Sequence, residues 1–200
     1  MKNIIKKLLL STKREGIENL IKHMEEQGFF KAPCSTQYHL SKEGGLAEHS
    51  LNVLEVAEEL RDDLAFNLPR ESVIICSLLH DIGKMGQYNK PNYVPNMLKG
   101  RATKANTNPE PYQSTTKPYI SNPDLFNVPH EVRSIVIISK FIELTEEEQF
   151  AILYHNGMYG DLKYQLNGKE TSLYMLLHFA DMWASRVVET KESVIEETES

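Results

Sequence analysis

Apolar residues recur at helical spacing in several separate stretches of the chain. Ile17, Leu20, Ile21 and Met24 share one face of a segment that ends near Gly28, which predicts an amphipathic helix. Leu46, Val53, Val56 and Leu60 mark a second helix, and the largely apolar run from Glu71 to Lys84 marks a third that stops at a glycine. Helical spacing returns from His130 to Glu143. Thr145 followed by Glu146, Glu147 and Glu148 then reads as a capping-box start with acids in the first turn, and the helix it opens ends at Gly157. A last helix is expected from about Thr171 to near Val188, before an acidic tail, Glu189 to Ser200, that is frayed or partly helical.

The remaining stretches lack this period. Phe29 to Gly45 reads as loop. Residues 85–129 are rich in Pro, Asn, Lys and Thr with scattered tyrosines, and a loop of that length is usually functional or disordered. Asn167-Gly168, within Tyr164 to Glu170, is a two-residue hairpin signal with very short flanking strands. The pattern is that of an all-α helical bundle with one very short β-hairpin and a long basic loop, and it contains no internal repeat.

Composition narrows the setting. A chain of 200 residues fits one domain, 1–200, able to bury a core without staples. Its 40% hydrophobic and 25% charged residues are those of a soluble globular protein. The longest apolar run, Val73 to Leu79, falls short of the roughly 20 residues that cross a bilayer. Lys6 and Lys7 interrupt the stretch Ile4 to Leu10, and no small-residue cleavage site follows, so a cytoplasmic location is expected. Cys34 and Cys76 lack metal-knuckle spacing and read as reduced thiols.

A net charge of −6 argues against a surface built for long duplex DNA or anionic membranes. The charge is uneven. Between Ile82 and Pro123 six bases (Lys84, Lys90, Lys99, Arg101, Lys104, Lys117) stand against one acid, Glu110, a local +5 that leaves −11 on the rest.

Polar residues also fall where apolar ones are expected. Asp181 lies on the stripe of Leu177, Ala184 and Val188, and His49 on that of Leu46, Val53 and Val56. His80 and Asp81 close the apolar helix of Val73, Ile74, Ile75, Leu78 and Leu79. A bare buried charge is costly, so four polar side chains on three core-facing helices suggest one common partner. A lone inward histidine is more often a hydrogen-bonded core residue than a ligand; the conjunction favours a metal. Imidazole and carboxylate suit Mn, Fe, Co, Ni or Zn, with Mg admitted, and helices from distant parts of a chain can converge such ligands.

The strings Gly44-Gly45-Leu46-Ala47-Glu48-His49-Ser50, Leu78-Leu79-His80-Asp81-Ile82-Gly83-Lys84 and Leu177-His178-Phe179-Ala180-Asp181-Met182-Trp183-Ala184-Ser185 resemble, in order, the metal motifs of HD-superfamily phosphohydrolases. The resemblance covers roughly residues 20–190 and implies an HD-domain bundle that binds one or two divalent ions through His49, His80, Asp81 and Asp181. Two-metal members add two histidines, which His130 in Pro129-His130-Glu131-Val132-Arg133-Ser134 and His155 in Ile152-Leu153-Tyr154-His155-Asn156-Gly157 resemble. Many relatives carry a further histidine where this chain has Tyr154. The plain alternatives are a surface histidine at a helix start for His130 and a helix-end histidine meeting the dipole for His155.

By the same resemblance Asp81 bridges the ions. Lys84, one turn past His80 and Asp81, either holds a non-bridging phosphate oxygen or is a helix-end lysine favoured by the macrodipole. His39 resembles an upstream histidine of some relatives that touches substrate, or is a loop residue. His178 shares much of the face of Asp181 and would support rather than coordinate; His23 reads as surface. The segment 85–129 is either a lid that presents Lys99, Arg101 or Lys104 to phosphates while a tyrosine stacks on a base, or a solvated loop.

The implied activity is hydrolysis of a phosphate mono- or diester, in a nucleotide or short nucleic acid, by metal-activated water. A 3′ to 5′ exonuclease on single strands, and a catalytically silent nucleotide-binding regulator, are the alternatives. The acidic balance and the lack of an attached nucleic-acid-binding domain favour small substrates; the basic segment favours strands. Retention of every ligand and of Lys84 argues against the silent reading.

Overall fold

The chain folds around a long helix, α3 (Gly45–Leu64), on which α4 (Arg70–Leu79) and α8 (Ser172–Trp183) both pack. The computed structural model describes residues 1–65, 67–102 and 107–190, so Lys104 and the acidic tail beyond Thr190 lie outside the described residues. Ahead of α3 come α1 (Lys2–Ser11) and α2 (Ile17–Glu26); behind it come α5 (His130–Ile138), α6 (Glu146–Tyr154) and the single turn α7 (Lys163–Leu166). α6 packs on α8 and α5, which closes the bundle. Among the described residues no helix is long and apolar enough to cross a membrane.

Periodicity explains most of these elements. α2 buries Ile17, Leu20, Ile21 and Met24, and α3 buries Leu46, Val53 and Leu54. α4 is buried from Ser72 to Leu79, as its unbroken apolar run implies. Thr145 caps α6 with a complete capping box: Glu148 N–H donates to Thr145 Oγ1 at 3.2 Å and Thr145 N–H to Glu148 Oε2 at 2.9 Å. α1 is an addition to the sequence reading. Ile5 and Leu9, one turn apart, are fully buried, while Lys6 turns out to meet Glu25 at 2.8 Å.

Three departures from the sequence reading shape the site. First, the helix expected to reach Lys84 breaks after Leu79. His80 keeps helical angles, Asp81 leaves them at φ −102° and ψ 8°, and Ile82–Met85 continues as a 3-10 turn. Neighbours on an unbroken helix diverge by about 100°, so the break is what lets two adjacent side chains serve one centre. Gly83 sits within that turn because α5 crosses it: an added Cβ would stand 2.9 Å from Ser134 N and 3.1 Å from the Arg133 side chain. Gly83 N–H instead donates to Ser134 Oγ at 2.9 Å, and this close approach carries His130, the first residue of α5, to Asp81.

Second, the hairpin lies elsewhere. Lys163–Leu166 forms a helical turn anchored by buried Leu166, and Asn167-Gly168 merely leads into α8. The ladders fall in the basic segment: β1 (Tyr93–Pro95) pairs antiparallel with β4 (Tyr119–Ser121), and β2 (Met97–Leu98) with β3 (Tyr112–Gln113). Tyr, Val and Ile at the β1 and β4 positions supply the cross-strand pairs. Tyr119 N–H also donates to Thr36 O at 3.1 Å, tying this ribbon to the loop before α3.

Third, α8 ends in a π-helical turn, Ala184–Val188. The wider turn rotates the chain relative to an α-helix and brings Glu189, expected to begin a frayed tail, into the interior against α3.

Candidate metal centre

Asp81 stands between two sets of donors. Its Oδ2 lies 3.6 Å from His49 Nε2 and 3.5 Å from His80 Nε2, with Asp181 Oδ1 3.1 Å from the former and 4.0 Å from the latter. Its Oδ1 lies 3.1 Å from His130 Nε2 and 3.6 Å from His155 Nε2, which are 3.3 Å apart. The six residues come from α3, the α4 break, the start of α5, the end of α6 and α8.

Each imidazole is oriented from behind. His80 Nδ1 faces Ser77 O at 3.0 Å and His155 Nδ1 faces Ile152 O at 2.7 Å. A carbonyl only accepts, so both Nδ1 atoms carry hydrogen and both Nε2 atoms are left to face the centre. His49 Nδ1 meets Glu189 Oε1 at 2.8 Å, and His130 Nδ1 meets Glu131 Oε2 at 3.1 Å. His178 Nδ1 donates to the His155 carbonyl at 2.8 Å, so it supports the residue that stands in the second set.

A cation suits this arrangement. His49 Nε2, His80 Nε2 and Asp81 Oδ1 are buried without a hydrogen-bond partner, a costly state for desolvated polar atoms. The donor atoms of His49, His80 and Asp181, and those of His80, Asp81 and His155, lie within 4.8 Å of one another. Ligands at about 2.0–2.2 Å from a shared ion are separated by about 3–4 Å, the spacing seen here. The charges agree. Burial alone would push the His49 and His155 rings toward neutrality, yet Cys34 with the Asp181 and Glu189 carboxylates holds His49 well above its ordinary value, and Asp81 raises His155. Burial likewise opposes ionisation of Asp81 and Asp181, but Lys84 with nearby imidazoles beside Asp81, and the His49 ring beside Asp181, keep both carboxyls well below the usual range.

Lys84 Nζ lies 2.6 Å from Asp81 Oδ2, a contact that raises its pKa against the effect of burial. A cavity of about 720 Å³ opens onto the centre past Lys84, His155 and Asp181, and His39 and Glu189 also line it. Burial pushes His39 down to about 4, and its Nε2 lies 3.4 Å from Cys34 Sγ. Lys99 and Arg101 are exposed, and among the described residues the cavity lining includes neither. Tyr154 turns its hydroxyl to Gln165 Oε1 at 3.3 Å, and the His23 ring lies 4.9 Å from that of Phe141 on the outer side of α2. Sequence reasoning missed Glu189, because nothing in the spacing announces a π turn.

An HD domain family model matches residues 46–181, more than half of the chain. The chain belongs to the HD domain family. The match runs from just before His49 to Asp181, so the HD domain includes all six converging residues. HD domains are in general metal-dependent hydrolases, and the His/Asp cluster of this one fits metal binding. No curated protein and no solved structure gives a significant match to this HD domain.

Proposed function

We propose that this HD domain hydrolyses a phosphate mono- or diester bond in a nucleotide or short nucleic acid, with small substrates preferred. The observation that carries the reading is the division of donors into two sets about one carboxylate, at the floor of a cavity. His49, His80, Asp81 and Asp181 would hold one divalent ion; His130, His155 and Asp81 would hold a second. Such ions supply a water deprotonated near neutral pH and neutralise charge that develops on the phosphoryl group.

The residues of the chain do the rest. Asp81 presents one oxygen to each set, and the carbonyls of Ser77 and Ile152 keep the Nε2 atoms of His80 and His155 aimed inward. Lys84 uses one ammonium proton on Asp81 and faces the cavity, which leaves two donors for a non-bridging phosphate oxygen. Asp181 and Glu189 on the lining disfavour a long polyanion. Two free, buried cysteines agree with action in the cytoplasm.

The test is a panel of nucleoside monophosphates, cyclic nucleotides and labelled oligonucleotides, given to protein loaded with Mn, Fe, Co, Ni or Zn. Phosphate or nucleotide release that vanishes in Asp81→Ala is expected. Equal turnover in Asp81→Ala removes the hydrolase reading, and stepwise shortening of oligonucleotides alone replaces small substrates with single strands.

A further inference from the structure

We infer that Tyr159 and Arg186, with Tyr38 on the other lining loop, form a stacking subsite that holds the base of a substrate carrying a single phosphate group. The inference rests on the hydrolase reading for the location of that phosphate, and it moves base recognition away from the basic segment.

Both tyrosines line the cavity that reaches Lys84 and Asp181, yet Tyr159 is 73% exposed and Tyr38 72% exposed. An aromatic ring left uncovered at the rim of a polar cavity is available to stack on a flat ligand. The Arg186 guanidinium lies 5.6 Å from the Tyr159 ring centroid, so a planar cation extends the aromatic wall and can itself stack on a base.

The wall is held in place. Tyr159 N–H donates to Asn156 O at 3.0 Å and Gly160 N–H to Gly157 O at 3.1 Å, which fixes the 3-10 turn Gly157–Tyr159. On the other loop Ser35 Oγ accepts from Tyr38 N–H at 3.0 Å and donates to His39 O at 2.8 Å. The main chain of both loops is therefore ordered ahead of the ligand, which favours binding.

Charge sets the number of phosphates. Among the described residues the lining holds one lysine and one arginine, Lys84, which already meets Asp81, and Arg186, which lies against Tyr159; Asp181 and Glu189 stand beside them. One phosphoryl group can be met at the metal centre and Lys84. Among the described residues the lining offers the β- and γ-groups of a triphosphate no further lysine or arginine. Of Lys99, Arg101 and Lys104, the residues expected to serve them, the first two are absent from the lining and the third lies outside the described residues.

The test uses the metal-loaded protein and the phosphonate analogue of adenosine 5′-monophosphate, in which a methylene replaces the ester oxygen. The corresponding ribose phosphonate, with no base, is the comparison, and affinities are read by calorimetry. The adenosine compound is expected to bind about tenfold more tightly or better, a preference that Tyr159→Ala abolishes and Tyr159→Phe retains. Binding should shift the adenine proton resonances upfield, as stacking requires, and a triphosphate analogue should gain nothing over the monophosphate. Equal affinity for the two phosphonates overturns the subsite, as does a Tyr159→Ala variant that weakens both alike or a triphosphate bound tenfold more tightly. Because these ligands are not cleaved, base-dependent binding without turnover of any substrate would overturn the hydrolase reading alone.

Discussion

Glu189 Oε1 lies 2.8 Å from His49 Nδ1, so a residue just past the last helix orients an imidazole on the third. The same oxygen accepts from Asn52 Nδ2 at 3.1 Å, and the Glu189 side chain is wholly buried. Burial would raise its pKa, but the His49 hydrogen bond lowers it, so the carboxylate persists and strengthens His49 as a donor. Glu189→Gln is therefore expected to weaken metal affinity by about 10- to 100-fold. Competition with a chelating dye reads this directly. Affinity within twofold of the parent, in a variant of unchanged helicity, would assign Glu189 to packing alone.

The two donor sets should separate by mutation. His130→Ala removes a donor that only the Oδ1 side uses, and Asp181→Ala one that lies near His49 and His80. Each is expected to lower the metal content from two ions to one by elemental analysis, and Asp81→Ala to remove both. Two ions retained in His130→Ala would place the second site elsewhere.

Much of this centre was legible before the fold was known, because burying charge is costly. His49 and Asp181 sit on apolar stripes where only a shared partner excuses them, and the structure brings both to His80 and Asp81. Other features depend on geometry that periodicity does not encode. A helical pattern continues smoothly through Asp81, whereas the backbone turns there, next to the close approach of α5 to Gly83. The stripe of α8 gives no sign of the π turn that rotates Glu189 inward. Asn167-Gly168 has the right turn chemistry, but the residues before it form a helical turn anchored by buried Leu166, and Tyr93–Pro95 finds Tyr119–Ser121 across a long, polar connection instead.

Acid should weaken the metal-free protein in a stretch that His39 controls. Burial lowers its pKa from 6.5 to about 4, so the unfolded chain takes up a proton that the native state refuses. Above about pH 6.5 the residue contributes nothing; from there down to about pH 4 it costs stability progressively, on the order of 3 kcal/mol in all. His49 and His155, whose pKa values are raised, act oppositely: their contribution is present at low pH and is lost as pH rises through their folded values. The difference between parent and His39→Gln isolates the one effect. Urea unfolding at a series of pH values should show a flatter profile between pH 4 and 6.5 in the variant, and parallel profiles would refute it.

Gly157 is held by a close approach. Its φ is +53°, and an added Cβ would lie 2.6 Å from His178 Nε2 and 2.8 Å from Nδ1, the atom that donates to the His155 carbonyl. Gly157→Ala is expected to cost about 2–4 kcal/mol, strain and overlap together. Gly168→Ala has a similar φ of +75° with open space around it, so only about 1 kcal/mol should be lost. Equal shifts in thermal midpoint for the two variants would show that His178 yields freely.

Crystals grown with manganese and measured near its absorption edge would test the centre itself. The expected result is two anomalous peaks flanking the Asp81 carboxylate, one among His49, His80 and Asp181 and the other between His130 and His155. Anomalous density elsewhere, with these side chains in place and nothing bound between them, would contradict the account.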